Sequence, residues 1–60
     1  MKYVEISKNA VFEELGTEAE LIICDFDTLR MMECSNMNIA AINSFISKEN
    51  TKFFKGVANE

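Results

Sequence analysis

The side chains with the most reactive chemistry in this chain are Cys24, Asp25, Asp27 and Cys34. Asp25-Phe26-Asp27 sets two carboxylates at the end of an apolar run, and such a pair at a strand edge can hold a hard cation such as Mg²⁺. Hard cations usually draw on more oxygen ligands than two aspartates supply, and Asp is common in polar β-turns, so the segment reads as a turn. Cys24 as a nucleophile needs a neighbouring base to lower its pKa, and the chain has no histidine. Without histidine, and with two cysteines, the four-ligand set of a structural zinc site cannot be assembled. Gly16 and Gly56 are the only glycines, so no GxGxxG, P-loop or GxSxG motif occurs. The residue inventory points away from catalysis, cofactors and metals, and no small-molecule ligand is indicated.

The composition narrows the setting. Sixty residues make one domain, expected to span 1–60 as a single folding unit with a thin core, and 48% hydrophobic content is too high for disorder. No apolar run approaches the roughly 18 residues needed to cross a bilayer, and Met1-Lys2-Tyr3-Val4-Glu5 lacks the apolar region of a signal peptide, so a cytoplasmic protein is expected. In that compartment Cys24 and Cys34 are expected as free thiols that behave as small hydrophobes. The net charge of −4 is uneven: residues 1–33 carry eight acids against three bases, residues 34–60 two against three. An acidic first half disfavours direct binding to a nucleic-acid backbone, which needs a basic patch to displace counterions.

The elements that would position these residues follow from pattern. Tyr3, Val4 and Ile6 are strand formers, and Ser7 and Asn9 are helix caps, so residues 2–6 read as a strand entering a short helix that ends at Gly16. One continuous helix over residues 3–15 is the alternative. Ala10, Val11, Phe12 and Leu15 supply an apolar stripe, with Val11 and Leu15 one turn apart. Residues 20–26 and 29–34 are rich in Ile, Leu, Met and Phe around Asp27-Thr28, which reads as a hairpin. Its register pairs Asp25 with Arg30, Cys24 with Met31 and Ile23 with Met32. That register sets Cys24 and Cys34 on opposite faces, roughly 10 Å apart along the strands, too far for a disulfide. Asn38 is a candidate N-cap, with Met37 and Ile42 spaced as a hydrophobic staple, for a helix reaching about Ser47 with Ile39, Ile42, Phe45 and Ile46 inward. Thr51 to Lys55 reads as a last strand. The order βαββαβ implies an α+β fold: a three- to four-stranded antiparallel sheet with two helices on one face.

Two surfaces follow from this architecture. The hairpin is apolar on both sides, with Ile22, Cys24, Phe26, Leu29 and Met31 on one and Leu21, Ile23 and Met32 on the other, and two helices cover only one. The doublets Met31-Met32 and Phe53-Phe54 repeat the point, since strand neighbours face opposite ways. The expected partner interface is the open face, built from Leu21, Ile23, Met32 and one of Phe53 and Phe54, with a homodimer as its simplest use. The second surface is acidic: Glu13, Glu14, Glu18, Glu20, Asp25 and Asp27, with no base among residues 13–27. Such a surface would suit a basic partner, as in an inhibitor that mimics DNA, or serve solubility.

The opening Tyr3-Val4-Glu5-Ile6-Ser7-Lys8-Asn9-Ala10, the short helix ending near Gly16 and the hairpin after it resemble small proteins of phages and mobile elements in low-GC bacteria. The resemblance covers about the first half, has no diagnostic motif and implies a genomic setting with no activity or site residues attached. The expectation is a non-catalytic protein–protein interaction module, with an acidic inhibitor or regulator of a basic host protein as the alternative.

Overall fold

In the computed structural model, which describes residues 2–16, 20–34 and 37–58, the β-forming run Lys2–Ile6 is a strand, β1, and the helix begins only after it. Ser7 stops the strand: its hydroxyl accepts from the Ala10 N–H at 3.2 Å and so caps α1, Lys8–Glu14. The Leu15 N–H returns to the Val11 carbonyl at 3.1 Å, and Gly16, at φ +92°, carries the chain out in a left-handed conformation that favours glycine. The continuous helix over residues 3–15 does not form, because Tyr3, Val4 and Glu5 are ladder partners of the last strand.

β2, Leu21–Asp25, and β3, Arg30–Glu33, form the expected hairpin in the expected register, with Ile22 also opposite Glu33. Each strand is one residue shorter than expected on the turn side, because the turn takes four residues, 26–29. The Asp25 side chain accepts from the Asp27 N–H at 3.1 Å while its carbonyl accepts from Thr28 N–H at 3.2 Å, an aspartate folding the turn onto itself. Leu29 closes the turn at φ 54°, an unusual conformation for a branched residue.

α2, Ile39–Ile46, begins at Asn38, whose side-chain oxygen accepts from the Ala41 N–H at 2.8 Å. Met37 and Ile42 both pack into the core, as the staple spacing requires. Ile39 departs from expectation: it is 62% exposed. As the first helical residue its side chain leans back over the turn before it, away from the sheet. Phe12 on α1 is likewise exposed, leaving Val11 and Leu15 to do the packing. β4, Thr51–Val57, is two residues longer than its apolar run indicated.

One four-stranded antiparallel sheet results, in the order β1-β4-β2-β3. β1 and β2 are therefore parallel with β4 between them, and β3 and β4 are parallel with β2 between them. These two split βαβ units interlock. Both helices pack on the same side, where Val11, Leu21, Ile23, Cys34, Ile42, Phe45 and Phe53 form the buried cluster. Among the described residues no helix is long and apolar enough to cross a membrane.

Leu29 is 81% exposed, so nothing it packs against repays its backbone strain. The left-handed conformation costs a non-glycine residue about 1–2 kcal/mol, partly offset by glycine's larger unfolded-state entropy. Leu29→Gly is expected to stabilise the fold by about 0.5–1 kcal/mol, read as a higher urea midpoint at unchanged m-value. A lower midpoint would show that Leu29 makes a stabilising contact after all.

Candidate functional site

Side-chain alternation along the central strands decides which residues each face offers. On β2 the residues Leu21, Ile23 and Asp25 are buried beneath the helices and Ile22 and Cys24 look the other way; on β4 Thr51 and Phe53 are buried while Phe54 is half-buried on the open side. Three of the anchors expected at a partner interface, Leu21, Ile23 and Met32, are thereby corrected, and of Phe53 and Phe54 it is Phe54 that faces out. Leu21, Ile23 and Phe53 belong to the core, Met32 packs against it, and only Phe54 lies on the open face. Both sets of hairpin residues are apolar, so the alternation is legible but its phase is not; the helices settle on the set that includes Leu21, Ile23 and Phe53.

The open face has its own apolar centre. Tyr3, Ile22, Met31 and Phe54 line a shallow recess of about 230 Å³. That is smaller than the roughly 300–1,000 Å³ of typical small-ligand pockets and suits a side chain better than a cofactor. Sequence reasoning missed Tyr3 altogether, although its place opposite Gly56 is a usable signal: a residue without a side chain lets an aromatic ring cross the strand. Tyr3 does cross. Its hydroxyl donates to Glu20 Oε2 at 2.5 Å, while the Gly56 N–H donates to the Glu20 carbonyl at 2.8 Å. The hydrogen bond to Glu20 is the main reason the Tyr3 phenol is raised above its ordinary value of 10.0; loss of water and the negative charges of Glu20 and Glu33 add to it.

Charges sit around this centre. Across the face runs the row Glu5, Phe54, Ile22, Glu33, one residue from each strand in turn. Lys52 lies in the next row beside Cys24, 3.6 Å from Glu5 and 6.0 Å from the centroid of the Phe26 ring. The Glu5–Lys52 pair is more than half exposed at both ends and contributes little to stability.

The acidic stretch does not form one surface. Asp25 is 2% exposed and holds Lys48 Nζ at 3.1 Å, fastening the chain after α2 to the turn end of β2. Glu14 holds Lys55 Nζ at 2.8 Å and ties α1 to β4. Glu20 receives the Tyr3 hydroxyl, and Asp27 receives the Asn50 side-chain amide at 3.0 Å. Glu13 is exposed on α1, and Glu18 lies outside the described residues. Both Asp25 oxygens accept hydrogen bonds, from the Asp27 N–H and Lys48, and Asp27 Oδ1 accepts from Asn50. Among the described residues no three His, Cys, Asp or Glu side chains group as a metal site.

The two thiols differ in kind. Cys34 is buried in the core, and burial pushes its pKa up to about 11. Cys24 is half-buried on the open face, and both cysteines are free. No family model, curated protein or solved structure matches the chain.

Two outcomes follow from these environments. Lys48, with help from the Asp27 N–H and the Thr28 hydroxyl, holds the Asp25 carboxyl below its ordinary 3.8 against the opposing effect of burial. A depressed pKa means the unfolded chain binds the proton more readily, so this contribution is complete above pH 3.8 and is lost as pH falls from there through the lowered value. Urea midpoints of Asp25→Asn should therefore be lower than wild type at pH 7 and fall less steeply in acid; parallel curves would contradict the assignment. Alkylation by N-ethylmaleimide under native conditions should modify one thiol per chain, with Cys24→Ser removing that reactivity and Cys34 reacting only in denaturant. Two native equivalents would mean that the core opens readily around Cys34.

Proposed function

We propose that this protein is a non-catalytic interaction module that pairs with a second copy of itself through the open face of its sheet. The observation that carries this reading is the apolar centre formed by Tyr3, Ile22, Met31 and Phe54 on the side of the sheet opposite the two helices. Met31 is 67% exposed, a large apolar side chain left in water on the edge strand where it lines that region.

Size and shape favour a second copy as the occupant. Specific recognition needs about 1,000 Å² in total, or roughly 500 Å² from each partner. Four strands about 4.8 Å apart and about five residues long project roughly 320 Å², and accessible area exceeds projected area. An adequate interface must therefore cover the sheet from edge to edge. An identical sheet has that footprint and the same twist, which is the condition for aligned face-to-face packing. The centre-and-rim layout, apolar in the middle with Glu5, Glu33 and Lys52 outside it, follows the usual anatomy of protein interfaces. The acidic-surface alternative has less support, because Glu14, Glu20, Asp25 and Asp27 are engaged within the chain.

Sedimentation equilibrium tests the reading. The wild type should be dimeric at high micromolar concentration, and Met31→Glu should weaken association at least tenfold by placing a charge in the apolar centre. Ile39→Glu, at an equally exposed apolar position on α2, should leave it unchanged. A wild type that stays monomeric throughout the range removes self-association as the function.

A further inference from the structure

Symmetry acting on the open face has an electrostatic consequence. Two sheets stacked face to face are related by a two-fold axis lying in the plane between them, and aligned packing keeps their strands within about 30° of each other. The axis must then run nearly along the strands or nearly across them. The row Glu5, Phe54, Ile22, Glu33 is acidic at both ends and apolar in the middle. With the axis along the strands, between β4 and β2, Phe54 lies over Ile22 of the second copy and Glu5 lies over Glu33. With the axis across the strands along this row, each residue lies over its own counterpart, Glu5 on Glu5 and Glu33 on Glu33. Both arrangements that stack Phe54 and Ile22 on this row set carboxylate against carboxylate at both ends.

Lys52 does not cancel this. It occupies the neighbouring row, so the same operations place it over Cys24 or Gly56, and its own contact with Glu5 is exposed at 3.6 Å. The raised Tyr3 phenol already registers the field of Glu20 and Glu33 across a single face.

We infer that apposed Glu5 and Glu33 side chains set the strength of self-association, making this an interface that tightens as salt rises. The inference rests on the face-to-face reading above and adds its regulation. Salt screens the like charges at the rim while leaving the apolar centre intact, so the ionic strength of the surroundings tunes the fraction of paired chains. The sign is diagnostic: an acidic surface that captures a basic partner loosens with salt, whereas this one closes.

Sedimentation equilibrium in about 20 mM and about 500 mM NaCl, where screening lengths differ severalfold, supplies the test. The variants are Glu5→Gln/Glu33→Gln at the rim and Glu13→Gln/Glu49→Gln on exposed positions outside the face, which change net charge equally. Two like-charge pairs at about 5 Å in water oppose association by roughly tenfold in Kd. The wild type should tighten about tenfold from low to high salt. The rim variant should bind about tenfold more tightly than wild type in low salt and respond little to salt. The distal variant should stay within about threefold of wild type. Equal behaviour of the rim and distal variants, or a wild-type dimer that weakens with salt, overturns the inference while leaving the dimer standing. A rim variant that remains monomeric in high salt overturns the face-to-face pairing itself.

Discussion

Two short helices can cover one side of a four-stranded sheet and no more, and the rest of the structure depends on that limit. At about 1.5 Å per residue, the seven residues of α1 and the eight of α2 are about 10 and 12 Å long. Side by side they roof the middle of a sheet about 19 Å wide, enough to bury Ile23 and Phe53 completely. Among the described residues no third helix packs on the opposite side. A small domain that is apolar on both faces of its central strands has a thin core by itself and gains by burying the second face against another molecule.

Charged side chains fix the helices in place. Lys48 bonds to Asp25 of β2 and stands 5.0 Å from the Phe45 ring centroid, while Lys8 of α1 donates to the Lys48 carbonyl at 3.1 Å. One lysine thus joins both helical segments to the sheet. Lys55 and Glu14 do the same nearer the other end of the helix layer. The acids that look like a continuous negative run in the sequence are dispersed among separate structural tasks, and this is why the first half of the chain is acidic without presenting an acidic face. On the open side Glu5 and Glu33 sit on the two edge strands, at either end of the row through Phe54 and Ile22.

Local signals in the sequence were sufficient for the architecture. Ser7 and Asn38 mark helix starts by the geometry of their oxygens, Gly16 marks an exit, and the charge pair Asp25 and Arg30 marks the hairpin register; each is a short-range effect that tertiary packing did not override. The choice of face was not legible. Leu21 and Ile23 differ little from Ile22 and Cys24 in apolar character, so strand periodicity supports either phase equally. The decision belongs to the helices, through contacts of Val11, Ile42 and Phe45 that no single strand encodes. For the same reason the doublet Phe53-Phe54 could be seen to straddle the sheet while leaving open which ring entered the core. Tyr3 escaped notice because its role depends on Gly56, a partner distant in the chain and adjacent only through β1–β4 pairing.

The placement of β4 between β1 and β2 also makes one ladder depend on a strand far away in the chain. β2 and β3 pair through a four-residue turn at little entropic cost, and β4 can then join β2 after α2 has folded back, giving a sheet of three strands. β1 touches none of these except β4, so the first strand in the chain has no ladder partner until the last has arrived. Of the three ladders, β1–β4 thus closes the longest stretch of chain and contributes the most to the sequence separation of contacting residues.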